Sequence, residues 1–261
     1  MRIIRHAAAI TACLALTGCA GLMRDRIYQP VPVAQTPVTF AGEAPSSVLA
    51  TTGDGLALQG YYWAPARGND TVVVYFHGNG YNQLVGAARA EPLRAGGHGV
   101  LVASYRGYGG NPGEPGEAGL MADAEAWLAE ARRLAPQARV YLFGHSLGGA
   151  MALELAARHE VAGVATLGAF TRLADQAPAV ARPLLADRYD NVAAIARVAE
   201  PVLLIHGSAD TVIAYAAAEE LERASGGRAT LVRLPGAGHH VDLDQLAMRI
   251  WRFWESGAVG T

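Results

Sequence analysis

A serine stands in the pentapeptide GHSLG, residues 144–148, directly after the apolar run 140–143. A sharp turn from strand to helix needs small residues two positions before and two positions after the serine, and glycine fills both positions. Such a turn lifts the hydroxyl above the sheet, at a helix N-terminus where backbone N–H groups favour negative charge. We therefore interpret Ser146 as a nucleophile rather than as part of an ordinary glycine-rich turn.

A serine nucleophile needs a base, and an acid must orient that base. Asp210 follows the apolar run 202–205, and two adjacent histidines, His239 and His240, follow the run 231–234. We prefer His239 as the base because it comes directly after Gly-Ala-Gly, which gives the loop conformational freedom. The alternatives are His240 as the base and a helix-capping role for Asp210.

Negative charge that develops on a substrate oxygen needs backbone donors. The sequence HGNG at 77–80 follows the run 71–76, and we assign the oxyanion hole to the N–H groups of Asn79 and Leu147. The other histidines of these loops are interpreted as structural; they are His77, His145 and His206.

Composition excludes several other chemistries. All 21 basic residues are arginine, which excludes a lysine Schiff base and a phosphate loop that depends on lysine. The net charge of -2 argues against a nucleic-acid partner. No further cluster of ligand residues supports a metal at Asp242 and the two adjacent histidines, so we predict no metal and no organic cofactor.

Buried strands and amphipathic helices must position these residues, and their alternation along the chain predicts an α/β fold. We expect a mostly parallel sheet covered by helices on both faces, with the candidate residues at the carboxyl edge. The predicted strands are two within 48–64, then 71–76, 100–103, 140–143, 161–167, 202–205 and 231–234. The predicted helices span roughly 82–95, 117–134, 147–159, 212–224 and 243–254.

The N-terminus has the pattern of an export signal, with two arginines before the uncharged stretch 7–23. Within it, LTGC at 16–19 resembles the lipobox of bacterial lipoproteins. The resemblance implies a signal peptide at 1–18 and a lipid on Cys19, followed by a linker to residue 40. Ala20 then suggests the outer membrane of a bacterial envelope, facing the periplasm.

The chain as a whole resembles the α/β-hydrolases over roughly 48–256, including their Ser–Asp–His order. It is similar to the lidless subgroup that contains bacterial hydrolases and eukaryotic depalmitoylating enzymes. The glycine-rich loop at 105–117 carries this narrower likeness, although Ser104 and Asn111 depart from the usual residues. In this loop Arg106 is expected to pair with Glu114 or Glu117, unless these charges are merely solvated.

The resemblance implies one hydrolase domain at 41–257 with a minimal cap at about 170–199. It implies a monomeric serine hydrolase that cleaves small-molecule carboxylic esters or thioesters through an acyl-enzyme, held to a membrane by its lipid. The open alternatives are a peptidase or amidase with the same three residues, and a non-catalytic envelope lipoprotein that keeps the fold.

Overall fold

The structure, a computed structural model, describes residues 27–33, 37–176, 180, 182 and 185–257. Its centre is one sheet of eight strands in the order β1-β2-β4-β3-β5-β6-β7-β8. The strands are β1 (Ser46–Thr51), β2 (Ala57–Trp63), β3 (Thr71–Phe76), β4 (Gly99–Val102), β5 (Arg139–His145), β6 (Gly163–Leu167), β7 (Val202–Gly207) and β8 (Ala229–Leu234).

Strand β2 pairs antiparallel with both β1 and β4, and every pair from β4 to β8 is parallel. The parallel strands β3, β4, β6 and β7 are buried at every position, because helices cover both faces of the sheet. The predicted α/β class, with a mostly parallel sheet, is confirmed.

The α-helices bounded within the described residues lie in two layers: α1 (Gln83–Ala90), α2 (Glu117–Leu134), α3 (Leu147–Ala156), α4 (Asn191–Ile195), α5 (Ala216–Ala224) and α6 (Ala247–Ser256). Helices α1 and α6 share one hydrophobic core with the sheet, and the other four share the second. In α6 the buried side chains recur at helical spacing, so one face packs on the sheet; they are Ala247, Ile250, Trp251 and Trp254.

Two predicted helices differ from the observed ones for local reasons. The stretch predicted at 82–95 divides into α1 and a short 3-10 helix at Glu91–Arg94, where Pro92 lacks the N–H that an α-helix needs. The helix predicted to begin at 212 begins at Ala216, because the carboxylate of Asp210 binds the N–H groups of the preceding turn.

Part of the predicted linker packs against the domain. Residues 27–33, which we call the N-terminal strap, carry Tyr28 at only 2% exposure, within the core beside α2 and α3. These seven residues of the predicted linker are therefore held to the domain, since an aromatic side chain anchors them by burial. The predicted signal peptide and Cys19 lie outside the described residues.

The predicted cap contains a 3-10 helix at Leu173–Gln176 and then α4, with 177–179, 181 and 183–184 outside the described residues. Asn191, in α4, ties the later part of this segment to its beginning, because its side chain donates to the Phe170 carbonyl at 2.8 Å. Among the helices of the described ranges, none has both the length and the apolar character needed to span a bilayer.

Candidate active site

Ser146 occupies a strained turn between β5 and α3. Its φ of 51° lies in the left-handed region, which residues other than glycine seldom adopt. A side chain on Gly144 would overlap the backbone of Gly148, and one on Gly148 would overlap the carbonyl of Phe76. Glycine is thus required on both sides of the serine, as the pentapeptide predicted, and the turn leaves Ser146 half-buried at the carboxyl edge of the sheet.

Asp210 follows β7 and uses its two carboxylate oxygens differently. Oδ1 accepts hydrogen bonds from the N–H groups of Val212 and Ile213 at 2.8 and 2.9 Å. Oδ2 lies 2.7 Å from Nδ1 of His239. Burial raises the pKa of Asp210, but the bonds from Ile213, His239 and Val212 outweigh it, and the net pKa lies below its usual value. The carboxylate therefore stays ionised. One of its oxygens orders the turn at 212–213, and the other faces His239.

The two adjacent histidines after β8 point to different partners. His239 is 8% exposed and bonds Asp210, whereas Nδ1 of His240 lies 2.9 Å from the hydroxyl of Tyr81 in an exposed position. An ionised carboxylate only accepts, so Nδ1 of His239 carries the proton and Nε2 has the free lone pair. The geometry thus places His239, the preferred residue, and not His240 beside the acid.

Backbone hydrogen bonds join the loops that carry the acid and the base. The N–H of Ala209 donates to the Ala237 carbonyl at 2.9 Å, and the N–H of Gly236 donates to the Ser208 hydroxyl at 2.9 Å. A side chain on Gly207 would overlap the carbonyl groups of the neighbouring loop. These contacts hold the two loops together, which fixes the distance between Asp210 and His239.

Gly168, directly after β6, brings the serine and histidine sides of the site together. The N–H of Ser146 donates to the Leu167 carbonyl at 2.9 Å. A Cβ atom on Gly168 would lie 3.0 Å from both Nδ1 and Cε1 of His239. The imidazole of His239 therefore lies over Gly168, which directly follows Leu167, the residue whose carbonyl binds the N–H of Ser146. The hydrogen bonds of the described residues do not include one between Ser146 Oγ and His239, a contact that often forms only when substrate binds.

The loop predicted to supply an oxyanion donor lies beside the serine turn. A Cβ atom on Gly78 would lie 2.8 Å from Nδ1 of His145, so this loop touches the turn directly. The N–H of Leu147 is the first amide of α3 and has no partner within the helix. The Asn79 side chain is held by the N-terminal strap and by Tyr108, whose hydroxyl donates to Oδ1 at 2.7 Å.

The other three histidines of these loops, His77, His145 and His206, are buried and lie close to this site. Burial lowers the pKa of His77 to about 4 and, together with nearby His239 and Arg89, lowers the pKa of His145 to about 3. Nε2 of His145 lies 3.2 Å from the His239 carbonyl oxygen. His206 also lies close to Asp210, with Nε2 3.3 Å from Asp210 Oδ2 and 2.9 Å from the Ile213 carbonyl.

Sequence reasoning missed two contributors to the site. Gly168 was detectable, because it is the residue directly after a predicted strand, where ligand sites of such sheets lie. The side chain of Asn79 was missed because its partners in the N-terminal strap lie about 50 residues away in sequence. No group of three or more metal-ligating side chains occurs in the part of the chain that the structure describes.

The predicted partner of Arg106 is wrong. Arg106 bonds Asp123 of α2 through both its guanidinium and its backbone N–H, and it also pairs with Asp54 in the β1–β2 turn. Glu117 instead accepts hydrogen bonds from the N–H groups of Arg188 and Tyr189. The glycine-rich loop is therefore fixed to α2 and to the first hairpin, close to the candidate site.

This fold is that of the α/β hydrolases, and the chain belongs to the α/β-hydrolase fold family. The family model for the alpha/beta hydrolase fold matches residues 71–197. The uncharacterized protein Rv2307c of Mycobacterium tuberculosis is 36% identical over 220 residues, which cover 81% of this chain and 76% of that protein. The uncharacterized protein YfhR of Escherichia coli K12 is 31% identical over 232 residues, covering 84% and 78%.

A solved esterase structure has the same fold. The Pyrococcus furiosus esterase Pf2001 matches with a TM-score of 0.68 at 18% identity, covering 87% of this chain and 96% of that one. A likeness at this level of identity concerns the fold, and the chemistry must be argued from the residues of the site.

Proposed function

We propose that this protein is a serine hydrolase that cleaves carboxylic esters or thioesters through an acyl-enzyme. The observation that carries the proposal is the 2.7 Å bond between His239 Nδ1 and Asp210 Oδ2 at the sheet edge that also bears the strained Ser146. A strained nucleophile and an oriented base on one edge are the requirements of covalent acyl transfer.

In the first half-reaction the hydroxyl oxygen of Ser146 attacks the acyl carbon, and its proton passes to Nε2 of His239. The N–H groups of Asn79 and Leu147 are the proposed donors to the oxygen that becomes negative. The bond to the leaving group then breaks, and His239 returns the proton to the departing alcohol or thiol. The ionised Asp210 stabilises the imidazolium between these two transfers.

In the second half-reaction water attacks the acyl-serine. His239 takes a proton from the water, the serine ester breaks, and the same proton returns to the oxygen of Ser146. The products are a carboxylic acid and the regenerated enzyme. Because His239 carries out each proton transfer while Asp210 stays ionised, the proposed reaction calls for no metal and no organic cofactor.

We also propose that the protein is anchored by a lipid on Cys19 in the bacterial envelope, on the outer membrane and facing the periplasm. The LTGC sequence and the basic start of the chain support this proposal. Metabolic labelling with a palmitate analogue tests it, since Cys19→Ala is expected to abolish incorporation. Equal labelling of the variant and the parent chain would remove the anchor from the proposal.

Labelling by a fluorophosphonate probe tests the nucleophile. The full chain is expected to react and to hydrolyse short p-nitrophenyl esters, whereas Ser146→Ala loses both properties. Ser46→Ala is the matched control, because Ser46 is exposed at the start of the edge strand β1 and belongs to none of the loops of the candidate site. Probe labelling that persists in Ser146→Ala contradicts the assignment, and a parent chain inert to every probe supports the non-catalytic alternative.

A comparison of matched acyl compounds tests the substrate class. An ester, a thioester and an amide with the same acyl group should be hydrolysed in that order of preference, with the amide at least about a hundredfold slower in kcat/KM. An amide cleaved as fast as the ester would instead identify a peptidase or amidase.

A further inference from the structure

The N-terminal strap is bound directly to the loop of the proposed oxyanion hole. The carbonyl of Ile27 accepts a hydrogen bond from Nδ2 of Asn79 at 2.5 Å, and the N–H of Gln29 donates to Oδ1 of Asn79 at 2.8 Å. Farther along, the carbonyl of Pro32 accepts from Nδ2 of Asn82 at 3.4 Å. The strap therefore contacts both ends of the loop, and two of its backbone groups are paired with a single side-chain amide.

These bonds use most of the hydrogen-bonding capacity of the Asn79 amide. Its oxygen has two lone pairs, one directed to Gln29 and the other to the hydroxyl of Tyr108, 2.7 Å away. One of its two N–H groups is directed to the strap. An amide held from two sides in this way fixes the side-chain torsions of the residue, and with them the local direction of its backbone.

Tyr28 secures the strap on the other side. Its side chain is buried, and its hydroxyl donates to Oδ2 of Asp187 at 3.0 Å and lies 2.9 Å from the hydroxyl of Tyr189. Asp187 is itself fixed, because its Oδ1 accepts from the N–H of Glu117 at the start of α2. The strap thus joins a fixed point beside α2 to the loop at 77–82.

We infer that the N-terminal strap positions the oxyanion hole, with the backbone groups of Ile27 and Gln29 acting through the side chain of Asn79. The backbone N–H of Asn79 is the proposed donor to the oxyanion. A donor contributes only when it points at the oxygen that develops charge. The strap residues do not touch the substrate; they are positioning residues. The inference rests on the proposed function, since the hole matters only if acyl transfer occurs.

The chain offers a matched pair of substitutions at Gln29. Gln29→Pro removes the N–H that Asn79 accepts, whereas Gln29→Ala keeps it. Residues 28–32 lie outside helices and strands, and Pro30 already follows, so a further proline interrupts no regular secondary structure. Both variants are made in the full chain, purified in detergent micelles, and compared in p-nitrophenyl ester hydrolysis.

A donor displaced from the oxyanion affects the transition state more than substrate binding, so kcat should fall while KM stays within about twofold. We expect kcat to fall about tenfold in Gln29→Pro and to stay within about twofold of the parent in Gln29→Ala. Equal kcat values for the two variants would overturn the inference. A higher kcat in Gln29→Pro would overturn it as well, because the strap would then obstruct the site.

A double-mutant cycle separates positioning from general stability. If Gln29 acts through the side-chain amide of Asn79, adding Gln29→Pro to Asn79→Ala should have no further effect. The single variant Asn79→Ala and the double variant should then have the same kcat within about twofold. Reductions that multiply would show independent effects and contradict the inference. If Gln29→Pro does not fold, Tyr28→Phe replaces it in the same cycle, since it removes the anchoring hydroxyl and leaves the backbone unchanged.

The parent chain and Ser146→Ala are measured in the same experiment. An inactive parent chain means that the proposed function fails, and the inference fails with it. A parent chain whose turnover depends on Ser146, combined with equal rates for the two Gln29 variants, refutes only the role of the strap.

Discussion

His239 and Asp210 are joined at 2.7 Å through Nδ1 and Oδ2, while the second oxygen of the same carboxylate holds the turn at 212–213. One side chain thereby shapes its own loop and selects the tautomer of the histidine. Because the two tasks use different oxygens, a substitution can remove one task and leave the other in place.

Asp210→Asn is expected to lower kcat by about 10³- to 10⁴-fold. The amide oxygen can still accept from Val212 and Ile213, so the turn should persist, but the NH₂ group cannot accept from His239 and favours the wrong tautomer. Steady-state ester hydrolysis measures the effect, and thermal unfolding checks that the fold is retained. A loss of less than about tenfold would contradict the role of Asp210.

The paired substitutions His239→Ala and His240→Ala distinguish the two histidines. We expect a loss of at least about 10³-fold in kcat for His239→Ala, because no base remains. His240 bonds the Tyr81 hydroxyl in an exposed position, so His240→Ala should change kcat by less than about threefold. The reverse order of effects would transfer the base to His240.

The glycines beside the serine allow a stability test. Gly144→Ala places a methyl group on the backbone of Gly148, and the overlap should lower the free energy of unfolding by more than about 2 kcal/mol. Gly53→Ala is the control, because no atom lies within 4 Å of its Cβ position and its φ is not positive. Urea unfolding measures both, and equal stabilities would show that the turn relaxes to admit a side chain.

The ion pairs of Arg106 should contribute more than exposed pairs do. Asp123 is fully buried, and Asp123→Asn leaves the half of the guanidinium that faces it without its counterion, which should cost about 3 kcal/mol or more. Asp70→Asn removes the charge from an exposed pair with Arg139 and should cost less than about 1 kcal/mol. Urea unfolding of the two variants decides the matter, and similar costs would mean that the network contributes little.

Stability should fall as the pH falls from about 6.5 towards 4. Burial lowers the folded-state pKa of His77 to about 4 and that of His145 to about 3, whereas both titrate near about 6.5 when unfolded. The unfolded chain therefore binds more protons in this range, and each fully titrating histidine removes about 1.4 kcal/mol per pH unit.

Urea unfolding at several pH values measures this slope in the parent chain and in His145→Asn. The substitution removes one of the two buried histidines, so the variant should show about 1.4 kcal/mol per pH unit less dependence below pH ~6. An identical slope in both proteins would show that His145 does not remain neutral on folding.

Much of the fold and of the candidate site could be predicted from local sequence patterns. The run TVVVYF forms β3 over the predicted residues, and α2 has its predicted bounds, because an apolar run and an amphipathic period are properties of short segments. Ser146, Asp210 and His239 were detectable for the same reason. Each follows a recognisable strand, and parallel strands bring their carboxyl ends to one edge.

Contacts between distant segments could not be predicted in this way. Arg106 was expected to bind a glutamate close in sequence, but its partners are a buried aspartate of α2 and an aspartate of the first turn, 52 residues away. The N-terminal strap lies in a proline-containing stretch without the hydrophobic periodicity of a helix or strand, which predicts a linker. In the structure the side chain of Tyr28 nevertheless lies in the hydrophobic core. Such pairings depend on which side chains are removed from water when the helices pack against the sheet.

The sequence by itself determined the class of the fold, the strained turn at Ser146 and the order of Ser146, Asp210 and His239 after their strands, since each depends on local composition and spacing. Only the tertiary structure decided that His239 rather than its neighbour faces Asp210, and that the N-terminal strap holds the loop of Asn79. Adjacent histidines are equivalent as residue types. What separates them is the direction of each side chain, which is set by the contacts between the loops after β7 and β8.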